Sequence, residues 1–245
     1  MKLEFSKKEK EIGQKIFKKF LKGWKKDPYW PLLTMNKLFN LLTKEEKELI
    51  RKIFSLRSKD YGVTSPFLGI RPIPKNLIMI KNQKYELKGK IKKISKPQFL
   101  SKNIFFFYQN LNQAMKKEIG RSLNIISGYR SPASQTTLFF YHLYLRNWNI
   151  KKNLKISSLP SYSEHSFVQK QGIDFLPQRG IVKKKDFYKT KEYKWLLKNA
   201  SRFGFYLSYP KNNKFGLEFE PWHWHFDKLK IKNLNGKKQR KKFNI

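Results

Sequence analysis

The chain has 245 residues, 39% hydrophobic and 16% aromatic, enough to bury a sizeable core in one large domain or one domain plus an extension. It has no cysteine, which excludes disulfides, thiolate metal ligands and cysteine nucleophiles. Lys and Arg total 55 against 17 Asp and Glu, a formal net charge of +38 that favours polyanions, although a base composition rich in Lys, Asn, Ile and Phe codons produces the same lysine excess spread along a chain.

From the N-terminus, lysine interrupts Met1 to Lys26 every few residues, so no apolar h-region is expected there. No run of 18 apolar residues occurs anywhere, and neither a cleavable signal nor a transmembrane segment is expected. Residues 8–24 read as an amphipathic helix, with Ile12, Ile16, Phe20, Phe17, Leu21 and Trp24 at helical spacing and lysine on the other face. Asp27-Pro28 ends it. Thr43-Lys44-Glu45-Glu46 has the form of a capping box and opens a second helix over 44–57. Residues 58–100, rich in Pro, Gly and Lys, read as loops with one or two short strands. A helix is expected over 105–121 with Phe106, Asn110, Gln113 and Ile119 in its pattern, then a buried strand at Leu123–Ser127 and a helix over 132–146. Ser157 to Ser163 reads as a polar loop and Gly172–Phe175 as a short strand. A helix over 187–203 turns Tyr193, Leu196, Leu197, Ala200 and Phe203 inward and stops at Gly204. Strands follow at 205–209 and 218–226. Helices between strands of a mostly antiparallel sheet make an α+β fold, preceded by an N-terminal helical extension.

The chemistry concentrates in Glu220-Pro221-Trp222-His223-Trp224-His225-Phe226. Two of the four histidines stand here beside a carboxylate and among rings. In an extended segment His223 and His225 share a face. Imidazoles and a carboxylate in a water-excluding surround suit a catalytic metal; the plainer alternative is an amphipathic strand with hydrogen-bonded histidines. His142, within Phe139-Phe140-Tyr141-His142-Leu143-Tyr144, reads as a core histidine. Ser127 and Ser131 lack the Gly-x-Ser-x-Gly elbow of a serine hydrolase. The run Lys237 to Lys242 reads as a solvated tail, with polyanion binding as the sharper option.

Four segments stand in a telling order: Ser127-Gly128-Tyr129-Arg130-Ser131, Ser163-Glu164-His165 with Gly172-Ile173-Asp174-Phe175, Gly204 to Pro210, and Glu220-Pro221-Trp222-His223-Trp224. Together they resemble the VanY-like zinc D-alanyl-D-alanine carboxypeptidases of the wider DD-peptidase/Hedgehog-like zinc-binding superfamily, over residues 100–228. The resemblance implies one zinc per chain, held by His165, Asp174 and His223. It implies Glu220 as the general base, taking a proton from a zinc-activated water and delivering it to the leaving amine. Arg130 is implied to bind or polarise the scissile carbonyl region. Ser163 resembles a substrate-contacting position, and Ser208 and Tyr209 resemble the adjoining wall. The implied layout is an extension and loop-rich connector over 1–100, a catalytic domain over 101–230 and a basic tail over 231–245.

Two departures from the family pattern bear on this. Asp usually follows His by seven residues with a Gly between; here the interval is nine and Gly172 takes the small position. A two-residue bulge in a hairpin loop would absorb the difference, or the site is degenerate; Glu164 is the alternative carboxylate, although adjacent to His165. His225 stands where the family usually carries Arg, and could be a fourth ligand, a hydrogen-bonding partner behind the ligands, or a rim residue. Strict alternation also puts Glu220 on the face opposite His223, so the assignment needs Pro221 to twist the backbone.

The expected function is therefore a zinc metallopeptidase acting on peptidoglycan peptides, a substrate that belongs to the cell envelope although no signal is visible. The alternatives are a non-catalytic wall-peptide-binding relic of the same fold and a basic polyanion-binding protein. No specific nucleic acid is predicted as a partner.

Overall fold

The computed structural model describes residues 3–87, 89–180 and 183–230. In chain order its helices are α1 (Lys7–Lys26), α2 (Met35–Asn40), α3 (Lys44–Phe54), α4 (Lys102–Ile119), α5 (Pro132–Leu145), α6 (Ile150–Leu154) and α7 (Lys191–Asn199). The strands are β1 (Leu77–Ile80), β2 (Lys84–Leu87), β3 (Lys90–Lys93), β4 (Gln98–Ser101), β5 (Leu123–Ser127), β6 (Gly172–Pro177), β7 (Phe205–Leu207) and β8 (His223–Phe226). Among the described residues no helix is long and apolar enough to cross a membrane. The basic run Lys237 to Lys242 lies outside the described residues.

The chain divides into two compact units. The first comprises Met1–Ile73, Arg130–Ser166 and Lys211–Phe219. Its helices begin on side-chain caps: Ser6 with Glu9 closes a capping box on α1, and Thr43 with Glu46 closes the expected one on α3, so N-terminal amide donors are satisfied before packing begins. Ile16 and Phe20 of α1, Ile50 and Ile53 of α3, and Phe139, Phe140 and Leu143 of α5 fill one apolar cluster. Helix α5 thus buries its apolar side with the N-terminal helices, a partner that its position between sheet segments did not suggest. Gly13 of α1 lies against the Trp148 indole, where an added Cβ would stand 2.2 Å from the ring.

The second unit comprises Pro74–Tyr129, Phe167–Pro210 and Glu220–Ile245. Two antiparallel ribbons, β1–β4 and β2–β3, occupy the stretch expected to be mostly loop. The main sheet has the order β5-β6-β8-β7 with all neighbours antiparallel, and its strands carry Ser127, Gly172–Phe175, Phe205–Leu207 and His223–Trp224 of the motif segments, while Ser163-Glu164-His165 lies outside it. Residues paired across strands share a face. Ile125 pairs with Phe175, Ile173 with Trp224 and Phe205 with Phe226, which makes one face aromatic and aliphatic. Phe175 stacks on Tyr108 of α4 at 6.0 Å and meets Phe205 edge-on at 5.8 Å. The opposite face carries Asp174, His223 and His225, with Ser127 opposite Asp174 beyond a register shift in β5. Tyr108 Oη and Asn112 Nδ2 donate to the Leu123 carbonyl, pinning β5 to α4.

Several side chains differ from the sequence reading. Helix α4 buries Ile104, Tyr108, Leu111 and Met115, and Phe106 is exposed; both rows have helical spacing, and the aliphatic one wins the core. Leu197 and Trp24 also face outward. The helix expected over 187–203 is α7 flanked by 3-10 turns at Lys184–Lys189 and Ala200–Phe203, and Gly204 ends it at φ +79°. His142 is half-buried at the end of α5 rather than in the core.

Candidate metal centre

His165 lies in a single 3-10 turn, Glu164–Ser166. Its carbonyl accepts from the Arg130 amide at 3.2 Å, and the Ser166 hydroxyl donates to the Arg130 carbonyl at 2.7 Å, so the backbone of SGYRS and that of SEH brace each other. The Arg130 guanidinium Nε donates to Gln135 Oε1 at 3.2 Å. Ser163 Oγ donates to the same oxygen at 3.3 Å, and Gln135 Nε2 donates to the Ser158 carbonyl at 2.8 Å. Gln135 is buried and orients both expected substrate-contacting residues. The sequence reading missed it; its signal was a polar residue one turn inside α5, four positions after the Ser131 cap.

The nine-residue interval after His165 is absorbed by a second 3-10 turn, Val168–Lys170, which exposes Gln169 and Lys170 before β6 begins at Gly172. This replaces the expected hairpin bulge. Asp174 then falls on the polar face of β6, directly opposite His223 on β8. Its Oδ1 lies 3.0 Å from His223 Nδ1, and its Oδ2 accepts from Lys184 Nζ at 3.0 Å. A carboxylate paired to a lysine counts against Asp174 as a metal ligand; here Lys184 takes Oδ2 while Oδ1 faces His223. Lys184 sits at the start of an irregular 3-10 stretch, where no periodic pattern announces it.

Glu220 reaches the His223 side by a turn rather than by a twisted strand. The His223 amide donates to the Glu220 carbonyl at 3.0 Å, closing Glu220-Pro221-Trp222-His223 into a β-turn with proline at its second position, where φ near −65° is favoured. Strand β8 therefore starts at His223, not at 218 as expected. Glu220 Oε2 stands 3.9 Å from His223 Nδ1. The Tyr209 ring stacks on His223 at 4.9 Å, and the Ser208 amide donates to the His223 carbonyl at 3.2 Å. His225 shares the face of His223, but its Nδ1 faces Ser208 Oγ at 2.9 Å. Of the three options for His225, this favours the hydrogen-bonding partner.

His165, Asp174 and His223 are all buried, and each offers one ligand atom, with these atoms within 4.8 Å of one another. Neither Glu164 nor His225 belongs to this group. Two imidazoles and one carboxylate form a donor set suited to a four-coordinate ion that keeps one position open. Tyr129 of SGYRS is buried, and burial pushes its phenol up to about 12, so it stays protonated near neutral pH.

Fold and donor set together define an α+β protein built on an antiparallel sheet and carrying a buried His-Asp-His group. The family model of VanY, described as D-alanyl-D-alanine carboxypeptidase, matches residues 97–228, more than half of the chain, and the chain belongs to that family. A putative carboxypeptidase of Bacillus subtilis (strain 168), YodJ, is 29% identical over 189 residues, spanning 69% of this chain and 67% of that protein. The structure of the LdcB LD-carboxypeptidase has the same fold, with a TM-score of 0.52 and 23% identity over 75% of this chain and 94% of the other. A vancomycin resistance D,D-pentapeptidase VanY point mutant in complex with Zn(II) matches at a TM-score of 0.45 and 22% identity, over 65% of this chain and 90% of the other.

Proposed function

We propose that this protein is a zinc-dependent peptidase of the D-alanyl-D-alanine carboxypeptidase type, acting on peptidoglycan stem peptides. The observation that carries the reading is the His165, Asp174 and His223 group with Glu220 beside it. The donor chemistry fits one zinc ion: the ligand atoms are buried and close enough to share it, and two neutral imidazoles with one carboxylate leave it a net positive charge. When bound, zinc supplies a Lewis acid that polarises the scissile carbonyl and acidifies water.

The protein's own residues do the rest. Glu220 accepts a proton on its carboxylate as the water oxygen bonds to the carbonyl carbon, and delivers it to the amide nitrogen as the C–N bond breaks. Arg130, its guanidinium held by Gln135, supplies positive charge to the oxygen on which negative charge develops. Tyr209 restrains the plane of His223 by stacking, and Ser163, Ser208 and Tyr209 offer the walls against which the peptide terminus is oriented. Membership of the VanY family supports a D-Ala-D-Ala bond; the LD-carboxypeptidase activity of the fold relative LdcB makes the stereochemistry at the cleaved residue the point to test. Purified protein should contain zinc at about one per chain and release D-alanine from peptides ending in D-Ala-D-Ala faster than from peptides ending in L-residue-D-Ala. Protein that neither carries nor takes up zinc would instead be a wall-peptide-binding relic.

The basic surface supports a second reading, as a polyanion contact. Lys15, Lys18, Lys22 and Lys25 are exposed on α1 at intervals of three and four residues, which aligns them on one side of the helix. Ile16 and Phe20 are buried in the unit's core, so this part of the helix's apolar stripe is not available to a bilayer. A row of ammonium groups along a rod matches a linear phosphate polymer. Binding to inorganic polyphosphate should weaken steeply with salt and fall on replacing these four lysines with glutamine; unchanged binding would remove α1 from the contact.

A further inference from the structure

Asp174 is held from two directions. Its Oδ1 faces His223 Nδ1 at 3.0 Å, and its Oδ2 receives the Lys184 ammonium at 3.0 Å. The Asp174 side chain is 5% exposed and that of Lys184 46%, so the lysine reaches the buried carboxylate from the surface. The same Nζ lies 5.7 Å from the centroid of the Trp222 ring, in the turn that delivers Glu220 and His223. An ammonium between a carboxylate oxygen and an indole face has two attractive partners on different segments, which restricts a side chain that is otherwise long and free to rotate.

We propose that Lys184 is a positioning residue for the metal centre, occupying the outer oxygen of Asp174 so that Oδ1 is the oxygen offered to the ion. This rests on the zinc reading above. The sign of its effect is a real choice. As a nearby positive charge, Lys184 would repel a metal ion and weaken binding. As the partner of Oδ2, it stops the carboxylate from rotating both oxygens away from the ligand geometry, which strengthens binding. Lys184 is about half-exposed, so solvent screens its repulsion of an ion, whereas the restraint it places on the orientation of Oδ2 is geometric and is not screened. The orienting effect therefore dominates.

The test is the zinc affinity of the full chain, measured by competition with a chromophoric chelator at neutral pH, for the wild type, Lys184→Met, Lys184→Gln and Lys184→Arg. Lys184→Met should bind zinc about 10-fold more weakly, at the lower end of the loss expected when a hydrogen-bonding partner of a ligand is removed. Lys184→Arg should restore most of the affinity, and Lys184→Gln, which donates without charge, should fall between. Cobalt substitution gives a second readout: the visible absorption of Lys184→Met should change in shape as the Asp174 carboxylate is freed, while that of Lys184→Arg should match the wild type. Zinc binding by Lys184→Met as tight as, or tighter than, the wild type would overturn the inference and leave the metal reading standing. If Lys184→Met does not fold, the glutamine and arginine variants decide by the same criterion. A wild type that binds no zinc would overturn both together.

Discussion

His223 Nδ1 and Asp174 Oδ1 lie 3.0 Å apart across β8 and β6, at positions that the sheet register pairs directly. Two of the three candidate ligands are thus set by strand pairing, and the loop after His165 does not determine their separation. Glu220 approaches the same imidazole through a turn closed by one hydrogen bond. The metal and proton roles can therefore be separated by mutation. Glu220→Gln keeps the shape and loses the basicity: it should retain zinc while turnover of a D-Ala-D-Ala peptide falls by about 10²–10⁴-fold. His223→Ala should lose zinc and turnover together. Wild-type turnover by Glu220→Gln would refute Glu220 as the base.

His225 provides the control. Its Nδ1 faces Ser208 and it lies outside the ligand group. His225→Ala should keep its zinc and raise KM more than it lowers kcat, because the Ser208 hydroxyl loses its orientation. Metal analysis showing zinc loss in His225→Ala would make it a ligand.

Gly128 carries a packing prediction. An added Cβ would stand 2.2 Å from the Phe99 carbonyl oxygen, and the next amide, that of Tyr129, donates to the same oxygen at 2.6 Å. Backbone cannot yield as a flexible side chain would, so Gly128→Ala should destabilise by about 1–3 kcal/mol, read as a lower urea midpoint. A midpoint equal to the wild type would mean that β4 and the SGYRS strand are less tightly joined than described.

The start of α1 carries a pH prediction. Glu9 pairs with Lys52 and accepts from the Ser6 amide at 2.8 Å, and these contacts hold its carboxyl below the ordinary value of 4.5. A lowered folded pKa gives stability that is present above the unfolded value and lost as the pH falls through the folded one. The Tm difference between wild type and Glu9→Gln should hold near neutral pH and close below about pH 4.5. A difference that persists at pH 2 would assign the effect to shape rather than charge.

Much of the site was readable because its residues sit in short motifs with fixed partners: the resemblance assigned His165, Asp174 and His223, and period-two spacing placed His223 and His225 on one face. Strict alternation failed at Glu220, because a proline turn resets the backbone before the strand begins. The ribbons over 77–101 were faint in sequence: their strands are only four residues long, and β3 is lysine-rich and exposed throughout, so no buried alternation marks it. Gln135 and Lys184 were missed for another reason. Each acts through a neighbour distant in sequence, and no local pattern records that.

The register of the four-stranded sheet ties the core to the chemistry. Because successive side chains alternate in direction, a slip of β8 by one residue against β6 would turn His223 toward the rings of Phe175 and Tyr108 and turn Trp224 out to the polar side. Burying an imidazole and exposing an indole makes that pairing costly before any ion or substrate is present. The aromatic face thus proofreads the ligand face during folding: a chain that reaches a well-packed sheet has already placed Asp174 opposite His223.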